Sequence, residues 1–343
     1  MDYKLLGSGA YGTVYKVGKK AVKRIKDLES TIQEYAIGNY LNPCQYTVDV
    51  YETNLEELTM SMKLYQGSLR DWMKEHRTYE QRSKAFRRIL VCVTHFADRI
   101  LVHGDLKPGN ILCNYDGDGD ITDLVLGDLG FVCIERFVKA GRTAPSYSEP
   151  VVFKDHRHDI YSLGVIGLQL LGNFKVMKRY TPQELVKAAH DCIKDQDIRK
   201  HIISCFNDDR EQRPTSRYLL YHLYSTRPAI GFSPKPKTLI AEDSEELKDL
   251  FKEYGQVKLG IFRCKLGYES CMSVIVSENI PIKYHEAYGV ATLVIFSSVF
   301  GKKWYTIEMA SKYASTTTSK MIKIVNVLIN NRNFLNTIFY ETL

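Results

Sequence analysis

The sequence predicts an α+β protein: a strand-rich N-terminal region, a larger mainly helical region, and a further all-helical domain at the C-terminus. Three observations carry this. The β-branched and aromatic run Thr13–Val17 follows a glycine cluster at the start and reads as a strand. Helical patterning sets in at Ser30–Leu41 and dominates later. A Pro-punctuated stretch from Arg227 to Lys237 reads as an extended linker, and beyond Ile240 there is neither strand alternation nor internal repeat. The expected organisation is residues 1–225, a linker at 226–240, and a helical domain at 241–343.

Composition narrows the class. With 343 residues, 44% hydrophobic and 25% charged, the chain has enough apolar material for two or three globular domains. Its 8 cysteines fall irregularly, without C-x-x-C pairs or His/Cys metal spacing, which points to a reducing compartment, cytoplasmic or nuclear. Met1-Asp2-Tyr3-Lys4 leads straight into the glycine cluster, so no signal peptide is expected. The longest apolar run, Gly289–Phe300, is too short to span a bilayer, so no membrane partner is expected. The net charge of +7 is spread as solvated lysines rather than interleaved with stacking aromatics, so no nucleic-acid partner is expected.

The most informative stretch is Val102-His103-Gly104-Asp105-Leu106-Lys107-Pro108-Gly109-Asn110. An Asp can accept a hydroxyl proton, a Lys two residues on can steady a transferred phosphate, and an Asn further on can hold a metal. Near the start, Gly7-Ser8-Gly9-Ala10-Tyr11-Gly12-Thr13-Val14 fits G-x-G-x-x-G-x-V, where glycines let backbone N–H groups approach phosphates. A dinucleotide-binding loop shares the glycines but leads into a helix, whereas here a strand follows.

Together these stretches resemble the H-R-D-L-K-P-x-N loop and the glycine-rich loop of eukaryotic-type Ser/Thr protein kinases, with Gly104 in place of the usual Arg. Further features occur in family order. Lys20-Ala21-Val22-Lys23 resembles V-A-I-K, which makes Lys23 the phosphate-binding lysine; a solvated Lys in a basic stretch is the alternative. Ser30-Thr31-Ile32-Gln33-Glu34 is similar to the S-T-A-I-R-E signature of cyclin-dependent kinases, with Glu34 as partner of Lys23 and Glu29, at the helix start, as second choice. Met60–Tyr65 and Gly67–Met73 resemble the hinge and the helix after it. By that resemblance Met62 is the gatekeeper, the backbone of Lys63 and Tyr65 bonds adenine, and Leu6, Val14, Ala21 and Leu112 sandwich the ring. Each of those apolar residues could equally be ordinary core.

Asp128-Leu129-Gly130 stands where D-F-G is expected, and a hard oxygen ligand there suits Mg²⁺. Asp116-Gly117-Asp118-Gly119-Asp120 begins like a calcium loop but has Ile121 at position six and Gly127 at twelve, so it reads as an acidic turn. Glu149-Pro150, Asp159 in a D-x-W-S-L-G-like helix, and Arg213-Pro214-Thr215 complete the series. The resemblance implies that Arg213 pairs with Glu149 and that Asp159 braces the catalytic loop.

The resemblance implies a bilobal kinase fold, with a β-rich N-lobe and an α-rich C-lobe, that uses ATP and Mg²⁺ to phosphorylate protein Ser or Thr. Asp105 is then the base, Lys107 the charge neutraliser, Asn110 and Asp128 the metal ligands, and Lys23 with Glu34 the phosphate anchor; Gly7, Gly9 and Gly12 line the phosphates. Lacking an Arg at Gly104, the enzyme is expected not to depend on an activation-loop phosphate at Thr143 or Ser146, and Tyr11 stands where an inhibitory phosphate can fall. A pseudokinase scaffold and a small-molecule kinase are the rivals.

The C-terminal pattern resembles a single cyclin box, as in kinase–cyclin fusions of large DNA viruses. Glu245–Tyr254 reads as an amphipathic helix, Tyr288–Phe300 as the central helix, Trp304–Tyr313 as the short fourth, and Ser319–Phe334 as the fifth with an apolar stripe of Met321, Val325, Leu328 and Ile329. Val299 stands where cyclins carry a docking Lys. The partner implied is the chain's own kinase domain or another kinase or cyclin; the alternative is an unrelated helical extension.

Overall fold

The computed structural model describes residues 3–9, 12–134, 146–149, 155–225, 261–299 and 305–340. The expected linker, the helix at Glu245–Tyr254, and Tyr11, Thr143, Pro150 and Trp304 lie outside the described residues. Two compact units emerge: one gathers the described residues of 1–43, 49–64 and 232–343, the other those of 44–48 and 65–231.

The first unit holds an antiparallel five-stranded sheet of β1 (Tyr3–Ser8), β2 (Gly12–Val17), β3 (Lys20–Ile25), β4 (Val50–Asn54) and β5 (Thr59–Lys63), in the order β1-β2-β3-β5-β4. Register pairs Val14 with Lys23 and Ala21 with Met62, so these four side chains share one face. Helix α1 (Leu28–Leu41) starts at Asp27, whose side chain accepts from Ser30 N–H at 2.8 Å.

Buried positions on α1 include Thr31, Ile32, Glu34, Tyr35, Ala36, Ile37, Gly38 and Leu41, too many for a helix with one wet face. Its cover is the sheet together with C-terminal helices. Those are α8 (Ile261–Ser277), α9 (His285–Val299), α10 (Ile307–Tyr313), α11 (Thr318–Asn330) and α12 (Arg332–Tyr340), of which α9, α11 and α12 pack on α1. Asn39 Nδ2 donates to Ile329 O at 3.0 Å and to Asn330 Oδ1 at 3.1 Å, and Tyr40 stacks on Phe339 with ring centroids 4.3 Å apart.

The stripe Met321, Val325, Leu328 and Ile329 is buried, as its spacing predicts, and Thr317 caps α11. The structure corrects the length of that helix. It stops at Asn330, where Asn331 caps it, and Phe334 belongs to α12. The central α9 is buried from Ala287 through Val299 rather than along one stripe, because it has neighbours on several sides.

The second unit contains short β6 (Gly67–Ser68), β8 (Ile111–Tyr115) and β9 (Ile121–Leu126) in one sheet, and the pair β7 (Leu101–Val102) with β10 (Cys133–Ile134). Around them lie α2 (Leu69–Trp72), α3 (Tyr79–Ala97), α4 (His156–Leu171), α5 (Pro182–Cys192), α6 (Gln196–Ser204) and α7 (Ser216–Tyr224). Helix α4 is the hub, with all but three of its sixteen residues buried, and packs on α3. Asp116–Asp120 is a tight turn: Asp116 Oδ1 accepts from the N–H groups of Asp118 and Asp120.

Candidate active site

In the first unit the phosphate-anchor candidates meet. Lys23 Nζ lies 2.6 Å from Glu34 Oε1, and both residues are buried. The pairing selects Glu34 over Glu29, because Glu34 is two turns into α1 on the sheet side. Gly9 N–H donates to Gly12 O at 2.9 Å, closing the β1–β2 turn. A Cβ on Gly12 would stand 2.5 Å from Arg24 O, so only glycine lets the turn lie on β3. Gly7 and Gly9 face open space.

Of the adenine-sandwich candidates here, Ala21 is buried and Val14 half-buried beside Lys23. Leu6 is 48% exposed, on the edge strand β1 that is exposed throughout, and it is the extra residue of a bulge between Leu5 and Gly7. Lys63 N–H donates to Asp49 O at 3.0 Å, so an adenine bond from Lys63 would have to use its carbonyl.

In the second unit the nonapeptide folds around Asp105, which is 2% exposed. Lys107 Nζ donates to Asp105 Oδ2 at 2.5 Å, and Asn110 Nδ2 donates to the same oxygen at 3.0 Å and to Asp105 O at 2.9 Å. A short 3₁₀ turn, Pro108–Asn110, brings the Asn back to the Asp. Asp159, buried in the first turn of α4, accepts from the backbone N–H groups of His103 at 2.6 Å and Gly104 at 2.9 Å. Gly104 has φ +74, a conformation in which a side chain is strained.

His103 is the residue that sequence reasoning passed over. Its Nε2–H donates to Gly127 O at 3.0 Å, while Nδ1 accepts from Asp105 N–H at 3.4 Å. It thereby ties Asp105 to the residue before Asp128. The signal was its place two residues ahead of Asp105. Asp128 sits in the left-handed region at φ +56, at the head of a 3₁₀ turn over Leu129–Phe131. Leu112 is half-buried on β8 and Tyr65 buried.

The donor set fits Mg²⁺. Asn110 commits its amide nitrogen to Asp105, which leaves the amide oxygen, and Asp128 supplies a carboxylate; both are hard oxygen ligands. Among the described residues no cluster of three or more His, Cys, Asp or Glu could hold a metal.

Glu149 is gripped by Arg213 through Nη1–Oε1 at 2.6 Å and Nη2–Oε2 at 2.7 Å, the expected pair. Arg210 adds Nε–Oε1 at 3.1 Å and joins Asp155 at 2.7 Å, an extension absent from the sequence reading.

A profile of the protein kinase domain matches residues 1–225, about two-thirds of the chain. The chain belongs to the protein kinase family. It is 25% identical over 242 residues to wall-associated receptor kinase-like 21 of Arabidopsis thaliana, covering 61% of this chain and 38% of that protein. It is 28% identical over 252 residues to the calcium/calmodulin-dependent protein kinase cmkA of Emericella nidulans, covering 64% and 60%. Serine/threonine-protein kinase 4 homolog A of Dictyostelium discoideum is 24% identical over 290 residues, covering 75% and 60%. The chain thus spans less than two-thirds of the length of these relatives. Among the described residues no helix is long and apolar enough to cross a membrane.

Proposed function

We propose that this chain is a Ser/Thr protein kinase that moves the γ-phosphoryl group of Mg-ATP to a protein hydroxyl. The observation that carries the reading is the Asp105 carboxylate, buried and receiving both Lys107 and Asn110. Asp105 orients the acceptor hydroxyl and takes its proton, and Lys107 neutralises charge on the moving phosphoryl group. Asn110 and Asp128 would hold Mg²⁺, which would supply charge neutralisation at the phosphates. Lys23, held by Glu34, positions the α- and β-phosphates, and Gly7, Gly9 and Gly12 keep the loop open to them. Leu6, Val14, Ala21 and Leu112, with the backbone of Lys63 and Tyr65, take the adenine.

A pseudokinase scaffold is not favoured, since Lys23, Glu34, Asp105, Lys107, Asn110 and Asp128 are all present and the Lys23–Glu34 ion pair is formed. Similarity to a protein named as a serine/threonine-protein kinase supports the acceptor class. Phosphate transfer to a Ser/Thr substrate that is lost in Asp105→Asn tests the reading.

A second reading rests on α1. The helix that carries Glu34 is packed by α9, α11 and α12, so the C-terminal helices act in cis to hold Glu34 against Lys23. In helix order, with a buried central α9, the short α10 and then α11, they are taken as a cyclin-box-like domain. Val299, fully buried, takes no part in docking as a cyclin Lys would. Variants that loosen these helices without unfolding the sheet test it by their loss of phosphate transfer.

A further inference from the structure

Among the described residues, Arg70 is a cation with no counter-charge beside the catalytic loop. Buried Leu69 and Trp72 anchor the short helix α2, which turns Arg70 outward to solvent. The neighbouring Asp71 is used locally. Its Oδ2 accepts from Ser68 N–H and Oγ–H, and its Oδ1 from Lys74 Nζ at 2.6 Å. Lys74 and then Ser68 pull the Asp71 pKa down to about 2, so its charge is spent on that cap. Arg70 itself makes no hydrogen bond or ion pair among the described residues.

The guanidinium lies over Gly109. A Cβ built there would stand 2.8 Å from Arg70 Nη2 and 3.1 Å from Cζ, so the glycine makes room for the Arg. Gly109 is the middle residue of the 3₁₀ turn whose next residue, Asn110, bonds Asp105. Arg70's charge is also felt at Tyr147: burial raises that hydroxyl's pKa, and Arg70 partly offsets the rise. Tyr147 stands two residues before Glu149, which Arg213 fixes. A solvent-accessible guanidinium, unpaired among the described residues, therefore stands against the loop that carries Asp105.

We propose that Arg70 is a specificity residue that recruits an anionic side chain, a carboxylate or a phosphorylated residue, close to the acceptor Ser or Thr. This rests on the kinase reading. A guanidinium fork matches both anions bidentately. An extended segment advances about 3.3–3.6 Å per residue, so the position of the anion is read by sampling several residues on either side of the acceptor.

The test uses the full-length protein, Mg-ATP and peptides with one Ser acceptor. Glu, phosphoserine, Gln or Arg is placed about two, three or four residues to either side. At one position at least, the anionic peptide should have a kcat/KM about fivefold to tenfold above the Gln peptide, with the Arg peptide below it. The Glu and phosphoserine arms show which anion is preferred. Arg70→Ala should bring the ratio to within about twofold, Arg70→Glu should reverse it toward Arg, and Gly109→Ala should weaken it by displacing the guanidinium. Transfer without anion preference, or a preference that survives Arg70→Ala, overturns the assignment alone. Absence of transfer above the Asp105→Asn background to any peptide overturns the kinase reading and this inference with it.

Discussion

Lys23 Nζ and Glu34 Oε1 are held 2.6 Å apart with only 8% and 2% of their side chains exposed. An isolated buried ammonium is costly, so the Glu34 carboxylate is a condition of burying Lys23. Glu34→Gln should lower phosphate transfer about tenfold to a hundredfold and destabilise the fold by about 3 kcal/mol, because the remaining charge is unmatched. Kinetics at saturating ATP together with chemical denaturation read both effects; unchanged kinetics would remove the pair from the mechanism.

The interface of α1 with the C-terminal helices predicts a coupled loss. Phe339→Ala combined with Asn39→Ala removes the stacked ring and the bond to Ile329, and should cost about 3–5 kcal/mol, as for other large buried aromatic truncations. Phosphate transfer should fall in step with faster proteolysis of the C-terminal helices. Loosened helices with full activity would rule out control in cis.

At Gly104 the backbone is left-handed and its N–H is bound to Asp159, leaving no guanidinium to receive a phosphate. Ser146→Ala should therefore keep activity within about threefold of the parent, less than a tenth of the loss expected for removing a transition-state contact. A drop beyond tenfold in the same assay would contradict this.

Glu149 and Arg213 form a bidentate pair, with Arg213 also donating to Asn207 O and Arg157 O. Arg213→Ala should cost about 3–5 kcal/mol by leaving Glu149 poorly matched, whereas Arg213→Lys keeps the charge but loses the fork and should cost less. Thermal unfolding of the three proteins gives the order; equal melting of Arg213→Ala and the parent would refute it.

His95 gives the fold a pH dependence. Burial first, and then Arg99, lower its pKa from 6.5 to about 4, with Nδ1 accepting from Arg99 and Nε2 against Cys44 Sγ. The unfolded chain takes up a proton at higher pH than the folded one. Its contribution is thus complete above pH 6.5 and is lost as the pH falls toward 4. Unfolding from pH 7.5 to 4.5 should show a shallower decline for His95→Gln than for the parent; parallel curves would exclude His95 as the source.

Much of this was readable along the chain, because short motifs encode local geometry. Asp105, Lys107 and Asn110 lie close together in sequence, Asp105 and Asn110 five residues apart, so their meeting needs no long-range packing. Met321, Val325, Leu328 and Ile329 announced α11 by spacing alone. What stayed hidden depends on distant pairings. The bond from Asn39 to Ile329 and the bulge at Leu6 carry no local signature. The break at Asn331 was masked because apolar residues continue in phase into α12. His103 was overlooked because a buried histidine in sequence looks the same whether it fills the core or ties Asp105 to Gly127.

The most direct measurement is ³²P transfer from Mg-ATP to a mixed Ser/Thr peptide pool by the full-length protein beside Asp105→Asn. The account predicts transfer to Ser or Thr that falls by about 10²-fold or more in the variant while its melting curve stays cooperative. Equal transfer by the two proteins, or none by the parent, would contradict it.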